Sequence, residues 1–101
     1  MIIYNTTFQV DDNTTTEFID WIRTQYVPQA LATGIVSRPQ LARIMGCHEG
    51  GTGYALQLQA ATLGELQNWY RTTGKDLMTR FNTRFGTHAV NFSTMMETVE
   101  L

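Results

Sequence analysis

Apolar and polar residues alternate with a period of two in three stretches of the chain. In the first, Ile2, Tyr4, Phe8 and Val10, with Thr6 among them, fall on one side, and Asn5, Thr7 and Gln9 on the other. Such alternation marks a strand with one covered face, here from about Ile2 to Val10. A later stretch, Gly53 to Ala61, sets Tyr54, Leu56 and Leu58 against Gln57 and Gln59. The last, His88 to Val99, sets Val90, Phe92 and Met96 against Asn91 and Ser93. A fourth strand lies within Val36 to Gly46, where Leu41 and Met45 compete with Ala42 and Ile44 for the core. If Ala42 and Ile44 face inward, Arg43 projects onto the polar side.

Between the strands the period changes to that of a helix. Phe18, Trp21, Ile22, Gln25 and Tyr26 form one apolar stripe, and Thr14 with Glu17 three residues on has the form of a capping box. Pro28 cannot donate a hydrogen bond inside that helix, so a kink there, or a short second piece from Pro28 to Thr33, is expected. Gly34 is a natural stop. The second stripe is Leu63, Leu66, Tyr70, Leu77, Met78, Phe81 and Phe85, with Thr62 and Glu65 as its capping box and Gly86 as its stop. Gly74 weakens it by up to ~1 kcal/mol relative to Ala, which predicts a kink or break near Thr72 to Lys75. Trp69 is offset from this stripe, as an exposed or interface-covering residue would be, but core or interface packing is the expectation for it as for Trp21, Tyr26 and Tyr70.

The order strand, helix, strand, strand, helix, strand predicts a single α+β domain with a ferredoxin-like βαββαβ fold. Its four-stranded antiparallel sheet would carry both helices on one face. In that order strands one and three are central. Asn5, Thr7, Gln57, Gln59 and Asn91 then lie together on the helix-free face. Tyr4 and Tyr54 belong to the helix side.

Composition sharpens the picture of that face. The chain has 101 residues, 43% hydrophobic and 16% charged, with a formal net charge of −2. The charged share is low against the ~25% of ordinary domains. Lys75 is the one lysine and the six arginines are scattered, which argues against duplex nucleic acid and against attraction to a membrane surface. No apolar run approaches the ~20 residues of a membrane span, and Ile2 to Val10 already reads as a strand rather than a leader. The expected location is the cytoplasm. Cys47 is the single cysteine, so no intrachain disulfide can form.

An open sheet face normally collects charged residues, whereas Asn and Gln are poor strand formers. A face of neutral amides and hydroxyls is therefore expected to be covered. The cover is either a second subunit or a ligand, with open solvent as the remaining alternative. Buried amides without partners each cost ~1–3 kcal/mol, so whichever cover is present must supply hydrogen bonds. Arg43, if it reaches that face, is a charged anchor suited to a carboxylate or phosphate; an ion pair with a surface acid such as Glu97 is the plainer alternative. His48, in the Gly-rich stretch Cys47 to Gly53, could reach a cavity mouth, where its near-neutral pKa suits proton transfer. Cys47 and His48 are neighbours in an extended stretch and are badly placed to share a proton. Neither they nor His88 have the paired spacing of a zinc site, and no cofactor or metal is implied.

Several segments carry a resemblance. Met1-Ile-Ile-Tyr-Asn-Thr-Thr-Phe, Tyr26-Val-Pro-Gln-Ala-Leu, Arg43-Ile-Met-Gly and Gly53-Tyr-Ala-Leu-Gln resemble those of a bacterial family of about this length with no assigned function. That family is similar in layout to the dimeric α+β barrel proteins, in which two sheets pack face to face. The superfamily includes cofactor-free oxygenases, haem-degrading enzymes, isomerases and small-molecule sensors. The resemblance implies the fold and a homodimer, and it transfers no catalytic residue. The expected function is a homodimeric small-molecule-binding protein that uses the helix-free face. Asn5, Thr7, Arg43, His48, Gln57, Gln59 and Asn91 are its candidate ligand contacts. The alternatives are a cofactor-free oxygenase- or isomerase-like enzyme and a structural or protein-interaction module.

Overall fold

The computed structural model describes residues 1–46 and 49–101. Four strands form one antiparallel sheet: β1 (Ile2–Asp11), β2 (Val36–Arg43), β3 (Gly51–Ala60) and β4 (Ala89–Glu97), in the order β2-β3-β1-β4. The first crossover is α1 (Thr15–Trp21) and α2 (Val27–Leu31), joined by a π turn, Ile22–Tyr26. The second is α3 (Leu63–Trp69) and α4 (Lys75–Phe85), joined by a π turn, Tyr70–Gly74. Both crossovers pack on the same side of the sheet, as the predicted ferredoxin-like fold requires.

Helix boundaries follow local chemistry in one case and not in the other. Thr62 caps α3, its Oγ1 accepting from the Glu65 amide at 3.2 Å. Thr14 makes no such bond. A short 3₁₀ turn, Asp12–Thr14, precedes α1 instead. Where a kink was expected at Pro28, the preceding π turn absorbs the proline by loosening the ladder its missing N–H would have joined. Where one was expected near Thr72 to Lys75, the second π turn ends at Gly74.

That second π turn corrects the helical phase that puts Tyr70 on the core stripe and Trp69 off it. Trp69 is fully buried and Tyr70 is partly exposed. A π turn inserts one extra residue, so the core stripe steps from Trp69 to Gly74 and then continues through Leu77, Phe81 and Phe85. The indole Nε1–H donates to the Ala30 carbonyl at 3.1 Å, tying the second crossover to the first. A Cβ on Gly74 would stand 2.7 Å from the Trp69 ring. Glycine is therefore required there by space. Tyr4 meets the same indole edge-on, with ring centroids 5.6 Å apart.

The rest of the core is aromatic. Phe8 lies between Phe18 and Phe81, with ring centroids at 5.0 and 4.9 Å. Tyr4, Leu56 and Leu58 extend this layer along the central strands, and Tyr26 closes it below the first crossover. Full burial of one such side chain stabilises by ~1.5–3 kcal/mol. Burial raises the pKa of the Tyr26 hydroxyl far above its ordinary value, with a smaller contribution from Tyr4. Tyr4 is raised by burial as well, against the lowering effect of hydrogen bonds to Ser93 and Thr6.

Two predictions arise from this packing. Gly74→Ala gains ~1 kcal/mol of helix propensity but drives a methyl into an indole that is anchored at both ends, and overpacking of this kind costs ~1–3 kcal/mol. Urea unfolding should show a net loss, whereas Gly64→Ala, with open space around its Cβ, should be neutral or stabilising. The second concerns alkaline pH. Because Tyr26 titrates from 10.0 when unfolded and higher when folded, the unfolded chain releases that proton first. Stability should hold up to about pH 10 and fall above it, and Tyr26→Phe should fall less steeply over the same interval when melting temperature is followed against pH.

Candidate functional site

The helix-free face is built from alternate residues of the four strands, and its composition follows from register. Directly opposed residues in an antiparallel pair share a face. Asn5 opposes Gln57 on one side and Thr94 on the other, and Gln57 in turn opposes Gln40. Thr94, Asn5, Gln57 and Gln40 thus make one polar row across the whole sheet. On one side of it lies the row Met96, Ile3, Gln59 and Ser37. On the other lies Phe92, Thr7, Ala55 and Ala42. Beyond that, Val90 opposes Gln9 and Gln9 opposes Gly53, over which the Ile44 side chain folds.

Two faces differ from the reading of the sequence. Arg43 opposes Tyr54 on the helix side, its guanidinium 5.8 Å from the ring centroid. Strict alternation from Val36 would have put it on the polar face. A β-bulge between Ser37 and Gln40, with Arg38 at φ 53° followed by Pro39, adds one residue. One extra residue turns every later side chain to the opposite face. Leu41 therefore points to the helices, and Ala42 and Ile44 do not.

The faces of β4 are likewise exchanged. Val10 opposes Ala89, which is buried, so Asn91, Ser93 and Met95 lie on the helix side and Val90, Phe92 and Met96 on the free face. Ser93 serves the core: it accepts from the Tyr4 hydroxyl at 3.1 Å and bonds Thr6 Oγ1 at 3.0 Å. Asn91 Nδ2 reaches Asn82 Oδ1 of α4 at 3.5 Å. Phe92 and Val90 are 64% and 56% exposed, so the apolar residues that alternation assigns to the core stand free on the other side.

Of the sequence-derived candidates, Asn5, Thr7, Gln57 and Gln59 are brought together on the free face, and Arg43 and Asn91 are not. His48 lies outside the described residues. Gln40 and Thr94 complete the polar row and were missed; Pro39 within a strand, a mark of an edge or a bulge, was the available signal for Gln40. From the polar row Asn5 donates to Thr7 Oγ1 of the neighbouring row at 3.1 Å, while its Oδ1, a buried atom, has no hydrogen-bond partner among the described residues. The three paired rows from Met96 to Ser37, Thr94 to Gln40 and Phe92 to Ala42 hold no titratable side chain. At one end the exposed His88 Nδ1 meets Asp11 Oδ2 at 3.0 Å. The described residues hold no group of three His, Cys, Asp or Glu side chains able to bind a metal, and no helix among them is long and apolar enough to cross a membrane.

Residues 1–99 match the family described as "Domain of unknown function (DUF4286)". The chain belongs to this family. No curated protein matches it. Solved structures similar to the DUF4286 chain include HapK from Hahella chejuensis, 12% identical with a TM-score of 0.75 over 98% of this chain and 93% of that one. A dimeric ferredoxin-like protein from an uncultured marine organism is 14% identical, with a TM-score of 0.70 over 99% and 96% of the two chains. A protein from Deinococcus radiodurans, named as a candidate antibiotic biosynthesis monooxygenase, is 12% identical, with a TM-score of 0.71 over 100% and 95%. At these identities the likeness establishes the ferredoxin-like fold.

The inward position of Ser93 can be tested directly. Ser93→Ala removes the partner of two buried hydroxyls, each loss being worth ~1–3 kcal/mol. Chemical denaturation should show a clear destabilisation, whereas Thr94→Ala on the opposite face should leave the stability of the single chain nearly unchanged.

Proposed function

We propose that this DUF4286 protein acts as a homodimer whose helix-free faces pack on each other, enclosing a polar band that holds a small, neutral, hydrogen-bonding molecule. The observation that carries the reading is the combination on one face of exposed Val90, Phe92, Met96 and Ile44 with a complete row of amides and hydroxyls. Uncovered, the apolar rim would remain in water; covered, it buries, and the amides it surrounds lose water and need partners.

Size supports a face-to-face contact. Four strands at ~4.8 Å spacing and ~3.3 Å per residue along the longest give a face of roughly 600 Å². This approaches the ~800 Å² per partner of a standard interface. The apolar rim is asymmetric, concentrated on β4, so a two-fold axis near the polar row would set the Phe92 edge of one copy against the Ile44 edge of the other. The marine protein of similar fold that is described as dimeric is in keeping with this. The buried and unpartnered Asn5 Oδ1 supports a donor supplied from outside the chain, by the partner's amides or by the bound molecule.

A second reading, a cofactor-free oxygenase- or isomerase-like enzyme, draws on the likeness to the Deinococcus protein. Acid–base chemistry on this face would have to come from the one end where Asp11 and His88 meet, since the amide row itself cannot exchange protons near neutral pH. Binding is the function that the amide row supports better.

Native mass spectrometry decides the matter. The freshly purified protein should run as a dimer, and a retained small molecule should appear as added mass. Phe92→Glu should give a folded monomer at the same concentration, with an unchanged circular dichroism spectrum. A wild-type monomer would sink the reading.

A further inference from the structure

The helix side of the sheet carries a concavity of its own at the β2 edge. It is a cleft of about 350 Å³ between the first crossover and the bulged edge strand, lined by Ile19, Ile22, Arg23 and Val27 on one wall and by Pro39, Gln40, Leu41 and Leu56 on the other. Its volume falls at the lower end of the ~300–1,000 Å³ typical of ligand cavities. The floor is buried Ile22 and Leu56, and the walls are the half-buried Ile19, Val27 and Leu41.

Two backbone irregularities shape this cleft. The π turn Ile22–Tyr26 contributes Ile22 and Arg23 directly, and π turns recur where helices build binding sites. Across from it, the bulge at Arg38 and Pro39 bends β2 and turns Leu41 inward. The cleft therefore exists because both walls depart from regular geometry at the same level.

Arg23 is the single charged residue of the lining. Arg80 and Arg84 are engaged with Asp76 and Glu17, and Arg43 lies over Tyr54; Arg23, like Arg38 and Arg71, makes no ion pair among the described residues, and of these three it alone lines the cleft. An unengaged guanidinium beside an apolar slot matches a molecule with one anionic head and a compact hydrocarbon body. A carboxylate fits the planar fork of arginine in bidentate fashion.

We propose that this cleft binds a small amphiphilic monocarboxylate, with its hydrocarbon tail on Ile22, Val27, Leu41 and Leu56 and its carboxylate on Arg23. Apart from Gln40 at the edge strand, which also ends the polar row, the lining lies on the helix side, so the site is distinct from the proposed dimer face.

Octanoate and its uncharged counterpart octanamide serve as probes, titrated into the wild-type protein, Arg23→Gln and Arg84→Gln and followed by calorimetry and by amide chemical shifts. Octanoate should bind saturably and perturb Ile19, Val27 and Leu41. Arg23→Gln should weaken it by about tenfold, the magnitude of one charge-assisted hydrogen bond, while Arg84→Gln should bind as the wild type does. Octanamide should bind the wild type no better than octanoate binds Arg23→Gln. The proposal is overturned if octanoate fails to saturate at millimolar concentration, or if octanamide binds equally well. It is also overturned if Arg23→Gln leaves the affinity unchanged, or if the perturbed amides lie on the helix-free face.

Discussion

The indole of Trp69 is the contact on which the helical layer depends. Its N–H holds the Ala30 carbonyl at the end of the first crossover, its ring lies on Gly74 of the second, and it packs edge-to-face with Tyr4 of the central strand. One side chain thus joins both helices and the sheet. The carbonyl it satisfies sits in the last turn of α2, where the helix has no further amide to offer. Space for so large a ring between the layers comes from the absent side chain at position 74 and from the widened turn that brings Gly74 there.

Single-residue insertions account for most of the difference between what the sequence suggests and what the chain does. The fold itself was legible: element order, strand and helix periodicity and the capping box at Thr62 all point to the same βαββαβ arrangement, and the core positions of β1 and β3 follow from simple alternation. Alternation fails at β2 because the bulge reverses it after Pro39, and helical phase fails after Trp69 because the π turn adds a residue. Neither insertion changes composition or mean hydropathy, so periodicity alone cannot register them. Arg43 and Tyr70 were misplaced for this reason.

For β4 the failure has another origin. A strand is read on the premise that its apolar side is its buried side, and that premise assumes a sheet with one covered face. Here the helix side of β4 is held by Ala89 and by the hydroxyl cluster of Tyr4, Thr6 and Ser93, leaving Val90, Phe92 and Met96 for the far face. The candidate amides of the central strands survived this exchange because β1 and β3 contain no insertion; Asn91 did not. The same reversal that removed Asn91 supplied the apolar rim, which is the more informative feature of the face.

The bulge in β2 also separates the two borders of the sheet. A further strand can add to an edge only where amide donors and carbonyl acceptors run unbroken. At β2 an approaching backbone would meet Pro39, which has no N–H, beside Arg38 in a left-handed conformation. That border is closed to templated extension through its middle, whereas β4 runs nine residues without proline or glycine. The sheet is polar in its capacity to grow, like a filament with one capped end.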